Sequence, residues 1–127
     1  MKKLNNILIV NFHVINSILI IFYLYPGSIA GYVIYGDFGK QPEINENFII
    51  SLNHFYAFIF FSILGILAYC NSSKINFLIK YLFLASFILE FLHFVLPYRA
   101  FQIEDLLGNF LGTLLVIIIY RLKKKYF

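Results

Sequence analysis

The residues of this chain whose types and spacing could do chemistry are concentrated in the stretch EFLHFVLPYRAFQIEDLLGN, which runs from Glu90 to Asn109. Glu90 and His93 interrupt an apolar run, and a proline, an arginine and two acids follow before apolar sequence resumes. An ionisable side chain inside an apolar segment is costly, so such residues normally face a protein interior, pair with one another and mark function. The stretch therefore raises the question of which elements hold its polar side chains together.

The composition indicates that these elements are membrane helices. The chain of 127 residues is 61% hydrophobic and 13% charged, whereas roughly 25% of the residues in a soluble domain are charged. A water-soluble chain of this length could not bury so much apolar surface, because a small domain has too little interior. The length fits one domain, residues 1–127. The single cysteine, Cys70, excludes an intrachain disulfide.

Four apolar segments are long enough, or nearly long enough, to span a membrane as helices, which takes about 20 residues. The first is stopped by Pro26 and Gly27, and the third is stopped by Pro97. An open sheet is excluded in lipid, because every backbone polar group must be satisfied internally. The sequence therefore predicts an all-α fold, a four-helix transmembrane bundle with helices at about 4–25, 48–69, 75–96 and 105–120.

The distribution of basic residues predicts the orientation of the bundle. Eight of the ten lysines and arginines fall at the end that carries both termini, and only Lys40 and Arg99 fall at the other end. Cytoplasmic loops of membrane proteins carry an excess of Lys and Arg. We therefore expect both termini to be cytoplasmic, with segments 26–47 and 97–104 facing outward. The same flanking residues account for the net charge of +4, so no nucleic-acid partner is expected.

Polar residues of three segments approach one depth at the outward end. His54 lies about six residues into the second segment, roughly 9 Å deep at 1.5 Å per residue, and Glu90 lies at a similar depth in the third. His93 shares a helix face with Glu90 through i, i+3 spacing. We expect a candidate binding site here, called the polar cluster, which consists of His54, Glu90, His93, Arg99, Asp105 and Asn109.

The chemistry of the polar cluster stays open on the residues alone. Arg99 is expected to pair with Glu90 or Asp105, because its planar fork can hold a carboxylate; in the purely structural alternative it only closes the hairpin. No metal and no other cofactor are expected, because the sequence lacks HExxH or a similar ligand spacing. No catalytic residue is assigned, because the serines lack a recognisable triad. Enzymatic activity is left open but is not favoured.

Two further patterns indicate helix packing. His13 and Asn16 share a face of the first segment at i, i+3 spacing, which predicts hydrogen bonds to neighbouring helices. Gly108 and Gly112 form a GxxxG pattern, which allows two membrane helices to approach closely.

The segment from His54 to Gly112 resembles the VanZ-like family of small bacterial integral membrane proteins. That family shows a His-Phe pair at the start of one helix, then Glu-x-x-Gln, Pro, Arg, an Asp six residues after the Arg, Asn and Gly. The matching residues are His54, Phe55, Glu90, Pro97, Arg99, Asp105, Asn109 and Gly112. The chain departs from the family pattern at Ile50-Ser51, where Asp-Lys is frequent, at His93, where Gln is usual, and at Val116, where a glycine is usual.

The resemblance implies a location better than a reaction. It implies membrane helices in the bacterial cytoplasmic (inner) membrane, with membrane lipid as a partner. Founding members are linked to resistance to the glycopeptide teicoplanin, so a role in the cell envelope and in antibiotic resistance is an expectation. The favoured function is binding of an amphiphile, a lipid headgroup or a lipid-linked envelope precursor at the polar cluster. The alternatives are a structural or accessory subunit that packs against partner membrane proteins, and an intramembrane enzyme acting on a lipid-linked substrate.

Overall fold

The computed structural model describes residues 2–44 and 49–126, and four of its helices are long and apolar enough to cross a membrane. The predicted all-helical class with four spanning segments is confirmed, and the protein is an integral membrane protein. In chain order the helices are α1 (Lys2–Leu24), α2 (Ile29–Tyr35), α3 (Leu52–Tyr69), α4 (Ile75–Phe91), which continues into a 3₁₀ turn (Leu92–Phe94), and α5 (Ile103–Tyr126).

The four long helices alternate in direction, so α1 and α4 end where α3 and α5 begin. At that end, here called the loop end, the backbone N–H of Ser51 before α3 donates to the carbonyl of Glu104 in α5 at 3.0 Å. At the opposite end, Nε2 of His13 in α1 lies 2.9 Å from the hydroxyl of Tyr69 in α3. The start of α1 and the end of α5 therefore share the end opposite the loop end.

Helices α3 and α5 run parallel and touch through the two glycines of the GxxxG pattern. A Cβ atom added at Gly108 would lie 2.6 Å from the carbonyl oxygen of Ser51, and one added at Gly112 would lie 2.5 Å from the carbonyl oxygen of Phe55. Real Cβ atoms do not approach backbone oxygens this closely, so only glycine permits the contact. The packing interpretation of this pattern is confirmed. It also fixes how His54 on α3 faces α5.

The apolar core lies between the polar cluster and the opposite end of the bundle. Phe58, Phe61 and Leu82 are fully buried there, and the ring of Phe12 stacks on that of Phe61 with centroids 5.2 Å apart. Helix α1 contributes less than the others, since 11% of its apolar window is buried against 39% or more in α3, α4 and α5. Helix α1 is therefore the outermost helix, and it is joined to the rest at few points.

Two hydrogen bonds join the inner face of α1 to the neighbouring helices. Nε2 of His13 contacts the Tyr69 hydroxyl, and the hydroxyl of Tyr81 in α4 donates to Oδ1 of Asn16. These are the interhelical contacts that the His13 and Asn16 spacing predicts.

The predicted start of the second spanning helix is wrong. Helix α3 begins at Leu52, whereas the sequence predicts a start near Phe48, which lies outside the described residues. Ser51 is extended, with φ −74° and ψ 112°, and its N–H is used by the carbonyl of Glu104, so the helix cannot continue upstream. The starts of α1 and α5 differ from prediction by two residues, which is the usual uncertainty of helix ends.

Two predicted helix ends are also wrong. Helix α4 ends at Phe91 and a 3₁₀ turn follows, instead of helix as far as Leu96. The α conformation is disfavoured for the residue before Pro97, so the α-helix ends before it reaches the proline. Helix α5 continues past Tyr120 to Tyr126. Lysine and arginine are good helix formers, and their charges are favourable near a helix C-terminus.

A short helix, α2, lies in the segment between α1 and α3 and was not identified from the sequence. The hydroxyl of Ser28 caps it by accepting from the backbone N–H of Gly31 at 2.8 Å, and Gly36 ends it with a left-handed φ of 69°. Gly31 packs directly against the carbonyl of Lys40, which leaves no room for a side chain. The segment is thereby folded back on itself beside the loop end.

Candidate functional site: the polar cluster at the loop end

The polar cluster is organised by the hydroxyl of Tyr23, at the loop end of α1. This hydroxyl donates to Oδ1 of Asn109 on α5 at 2.7 Å. Nδ1 of His54 on α3 lies 2.8 Å from the hydroxyl oxygen of Tyr23. The single hydroxyl proton is given to Asn109, so Nδ1 of His54 carries a proton and donates to the tyrosine oxygen. One hydroxyl group thus joins three helices.

The second ring nitrogen of His54 faces an acid. Nε2 lies 3.4 Å from Oδ2 of Asp105 in the first turn of α5, and both residues are buried. Because Nδ1 is occupied by the Tyr23 contact, Nε2 is the nitrogen that is free to take a proton or to bind a cation beside the carboxyl group.

Glu90 on α4 is fully buried and uses one carboxyl oxygen for two contacts. Oε1 accepts a hydrogen bond from the backbone N–H of Gln102 at 3.0 Å and lies 3.1 Å from Nδ1 of His93. Nε2 of His93 donates to the carbonyl oxygen of Tyr23 at 3.0 Å. With Nε2 as a donor, one proton is shared between Nδ1 of His93 and Oε1 of Glu90. The i, i+3 contact expected from the sequence is observed.

The structure brings His54, Glu90 and Asp105 together more closely than the sequence could indicate. Each offers an imidazole nitrogen or a carboxyl oxygen, and these atoms all lie within 4.8 Å of one another. Within the described ranges, two buried atoms of the cluster have no hydrogen-bond partner, Oε2 of Glu90 and Nδ2 of Asn109. His54 and Glu90, which the sequence predicts at similar depth, thus lie close together, and the arrangement can hold a proton or a cation among the three groups.

Arg99 makes no direct ion pair with Glu90 or Asp105, as far as the described residues show, whereas the sequence predicts such a pair either directly or through one water. Its Nε donates to the carbonyl of Tyr25 at 3.1 Å and its Nη2 to the carbonyl of Phe22 at 2.7 Å. The last carbonyls of a helix have no intrahelical donor, and a cation there is favourable. Burial lowers the pKa of Arg99, whereas the nearby carboxyl groups raise it. The guanidinium nevertheless stays charged.

Two cavities adjoin the polar cluster at the loop end. The larger, here called the cleft, has a volume of about 420 Å³, and the smaller has a volume of about 150 Å³. His93 and Arg99 line both, whereas His54 borders the cleft and Asp105 the smaller cavity. The remaining residues of the cleft are Phe22, Tyr23, Ser28, Ile29, Ala30, Ile34, Gln41, Pro42, Glu43, Ile44, Asn53 and Ala57. The cleft is therefore lined by both polar and apolar residues.

Sequence reasoning missed two participants. Tyr23 gives only a weak signal in the sequence, because a tyrosine near the end of a membrane helix is usually an interfacial anchor. Its position close to the loop end of the first segment, as His54 is in the second, is the signal that could have identified it. The backbone N–H of Gln102 carries no sequence signal, since any residue other than proline could supply it.

Comparison with known proteins places the chain in a family without assigning an activity. No curated protein matches the chain. No solved structure matches it either. Residues 3–124, nearly the whole chain, match the VanZ/LLP1 family. The resemblance seen in the motifs between His54 and Gly112 is therefore confirmed, and the chain belongs to the VanZ/LLP1 family of membrane proteins.

Proposed function

We propose that this VanZ/LLP1 protein binds an anionic amphiphile at the cleft, with the headgroup at the polar cluster. Lipid headgroups and lipid-linked envelope precursors belong to this class. The observation that carries the proposal is the composition of the cleft. Its lining has a polar part, which includes His54, His93 and Arg99, and an apolar part, which includes Phe22 and Ile34. A ligand with a charged head and a hydrocarbon tail matches both parts.

Arg99 is the residue best suited to the headgroup. Guanidinium carries five N–H donors, and the carbonyls of Phe22 and Tyr25 account for two of them. Within residues 2–44 and 49–126, the other donors remain for an anionic group, and Arg suits phosphate or carboxylate because its fork can bind two oxygens together. The backbone contacts hold the guanidinium in place before a ligand arrives, which reduces the entropy cost of binding.

The orientation of the protein follows from its charges in this proposal. Eight of the ten basic residues are on the side of the chain termini, so the loop end and its cleft face the outer leaflet of the bacterial cytoplasmic membrane. The ligand would then be an outer-leaflet component of the cell envelope. Binding such a component would alter susceptibility to envelope-directed antibiotics of the teicoplanin type, as the family resemblance suggests.

The test replaces Glu90 in two ways. Glu90→Gln keeps the shape and an oxygen that accepts from the N–H of Gln102, but an amide oxygen cannot carry the proton that Oε1 of Glu90 shares with Nδ1 of His93. We expect glycopeptide susceptibility to revert to that of a strain without the protein, while membrane abundance stays unchanged. Glu90→Ala should lower abundance as well, because Oε1 no longer accepts from Gln102. An abundant and fully active Glu90→Gln protein would contradict the proposal and favour an accessory subunit.

A binding measurement tests the proposal independently of the phenotype. We expect the protein extracted in mild detergent to retain an anionic lipid, detected by native mass spectrometry. The bound fraction should fall in Arg99→Gln and partly recover in Arg99→Lys, which restores charge without the fork. Arg121→Gln, at the end of the bundle opposite the loop end, is the matched control. Equal lipid retention in Arg99→Gln and Arg121→Gln would exclude the cleft as the binding site.

A further inference from the structure

We propose that His54, Glu90 and Asp105 bind a divalent transition metal ion of the Zn²⁺ class. The three residues are buried and come from three different helices, and their ligand-type atoms lie within 4.8 Å of one another. Zn²⁺ accepts imidazole nitrogen and carboxylate oxygen, often as three protein ligands with one open position. Mg²⁺ and Ca²⁺ prefer oxygen ligands alone, so the histidine favours a transition metal.

The spacing of the donor atoms agrees with tetrahedral coordination. Metal–ligand distances of about 2.0–2.2 Å at a tetrahedral angle separate neighbouring ligand atoms by about 3.4 Å. Nε2 of His54 and Oδ2 of Asp105 are 3.4 Å apart. The ligand-type atom of Glu90 lies within 4.8 Å of both atoms, so a shift of roughly 1–2 Å would bring it to the same spacing.

The surroundings of His54 prepare its ring for a metal. A metal-binding histidine usually donates its other N–H to a neighbouring oxygen, which fixes the tautomer and the ring orientation. Nδ1 of His54 lies 2.8 Å from the hydroxyl of Tyr23 and 3.1 Å from Oδ1 of Asn109. This contact assigns the proton to Nδ1 and leaves the lone pair of Nε2 directed at the Asp105 side.

Glu90 supplies an independent observation. Its side chain is fully buried, Oε1 is used by Gln102 and His93, and Oε2 has no partner in the parts of the chain that the structure describes. A buried carboxyl oxygen without a partner is costly. A cation bound by His54 and Asp105 would provide a partner for Oε2 of Glu90. The cation would also offset the electrostatic repulsion between the two buried carboxyl groups.

Access to the site is available from both cavities. His54 borders the cleft of about 420 Å³ and Asp105 borders the cavity of about 150 Å³, so an ion can reach the donors without unfolding the bundle. The metal site does not depend on the amphiphile proposed above, since its ligands are supplied by the chain itself.

Metal content of the purified protein tests this inference. The full chain in detergent is stripped with a chelator, incubated with Zn²⁺, freed of excess ion and analysed by elemental mass spectrometry. We expect about one Zn²⁺ per chain. We also expect a rise in melting temperature with Zn²⁺ that Mg²⁺ does not produce. Co²⁺ in place of Zn²⁺ should give the visible absorption of a tetrahedral site. A wild-type protein that takes up no Zn²⁺ and shows no such rise would overturn the proposal.

Variants then assign the ligands. Asp105→Asn and His54→Gln should each lose the bound ion, whereas His13→Gln, a histidine outside the cluster, should retain it. Asn109→Leu removes no proposed ligand but takes away the oxygen that holds the Tyr23 hydroxyl and lies beside Nδ1 of His54, so affinity should fall roughly 10- to 100-fold while about one site per chain remains at saturation. Elution volume and metal-free melting temperature identify any variant that is unfolded. Zn²⁺ uptake that is unchanged in well-folded Asp105→Asn, or lost in His13→Gln, would show an adventitious site and contradict the assignment.

Discussion

The hydroxyl of Tyr23 lies 2.7 Å from Oδ1 of Asn109, although 86 positions separate the two residues in the chain. The same hydroxyl is 2.8 Å from Nδ1 of His54, and the carbonyl of Tyr23 accepts from Nε2 of His93. One residue of the outermost helix therefore contacts side chains from α3, from α5 and from the turn after α4. The polar cluster depends on α1 more than the small buried fraction of that helix suggests.

Tyr23→Phe tests this dependence. The substitution keeps the ring but removes the group that links His54 and Asn109, and a buried polar group left without its partner costs about 1–3 kcal/mol. We expect the free energy of unfolding in mixed micelles to fall by that amount. Tyr56→Phe, at an exposed ring on α3, is the control and should be neutral. Equal stability of Tyr23→Phe and the wild type would show that the hydroxyl does not hold the helices together.

Arg99→Met tests the attachment of α1 to the loop end. The guanidinium satisfies the carbonyls of Phe22 and Tyr25, and hydrogen bonds to a charged group contribute about 1.5–3 kcal/mol. We expect a loss of stability in this range, with faster amide hydrogen exchange in the last turn of α1. Arg99→Lys should lose less stability than Arg99→Met, because the ammonium group keeps the charge but cannot reproduce the two-pronged hydrogen bonding of the guanidinium.

The control for Arg99 is Arg121→Met, which removes an exposed arginine from α5. This variant should leave the exchange rates of α1 unchanged. If the two variants lowered stability equally, the loss would reflect a general effect of charge rather than the contacts with α1.

Gly108→Ala tests the close approach of α3 and α5. The added Cβ atom would lie 2.6 Å from the carbonyl oxygen of Ser51, and overpacking of this kind costs about 1–3 kcal/mol. Alanine also favours helix by about 1 kcal/mol, so the measured loss will be reduced by that amount. Gly65→Ala is a matched control, since the nearest atoms to its Cβ would be side-chain atoms, of Phe12 at 3.0 Å and of Leu78 at 3.3 Å, which need to shift by only a few tenths of an ångström. We expect a clear fall in melting temperature for Gly108→Ala and little change for Gly65→Ala.

The predicted orientation can be tested by thiol labelling in intact cells. In a Cys70→Ser background, a cysteine at Gln41 should react with an impermeant reagent, whereas one at Lys123 should react only after the membrane is opened. The reason is the concentration of basic residues on the side of the termini. The reverse labelling pattern would overturn the topology and would place the cleft on the cytoplasmic side.

Much of the fold was predictable because lipid imposes simple rules. Apolar length identified four helices, and the GxxxG pattern identified the contact of Gly108 and Gly112 with α3. The i, i+3 spacing of Glu90 and His93 identified their contact, because a helix face is a local property of the chain. The depth of His54 was predictable for the same reason, since the rise per residue of a helix is constant.

The predictions that were wrong, and the features that were not predicted, depend on tertiary contacts. Arg99 was expected at a carboxylate, but it binds carbonyls at the end of α1, and sequence does not show which helix end will lie beside a given turn. The start of α3 was misplaced because the N–H of Ser51 bonds to Glu104, more than fifty residues away. The grouping of His54, Glu90 and Asp105 was invisible as a ligand motif, because the three residues come from three helices.

The contact between α3 and α5 places unequal demands on the two helices. Gly108 and Gly112 meet backbone oxygens of Ser51 and Phe55 rather than their side chains. Every amino acid carries the same carbonyl, so this contact places no demand on the side chains of Ser51 and Phe55, whereas the two α5 positions are held to the smallest residue. The close approach of the helices should therefore survive a change of side chain at Ser51 or Phe55 but not at Gly108 or Gly112, and the family's preference for Phe beside His54 must have a cause other than this contact.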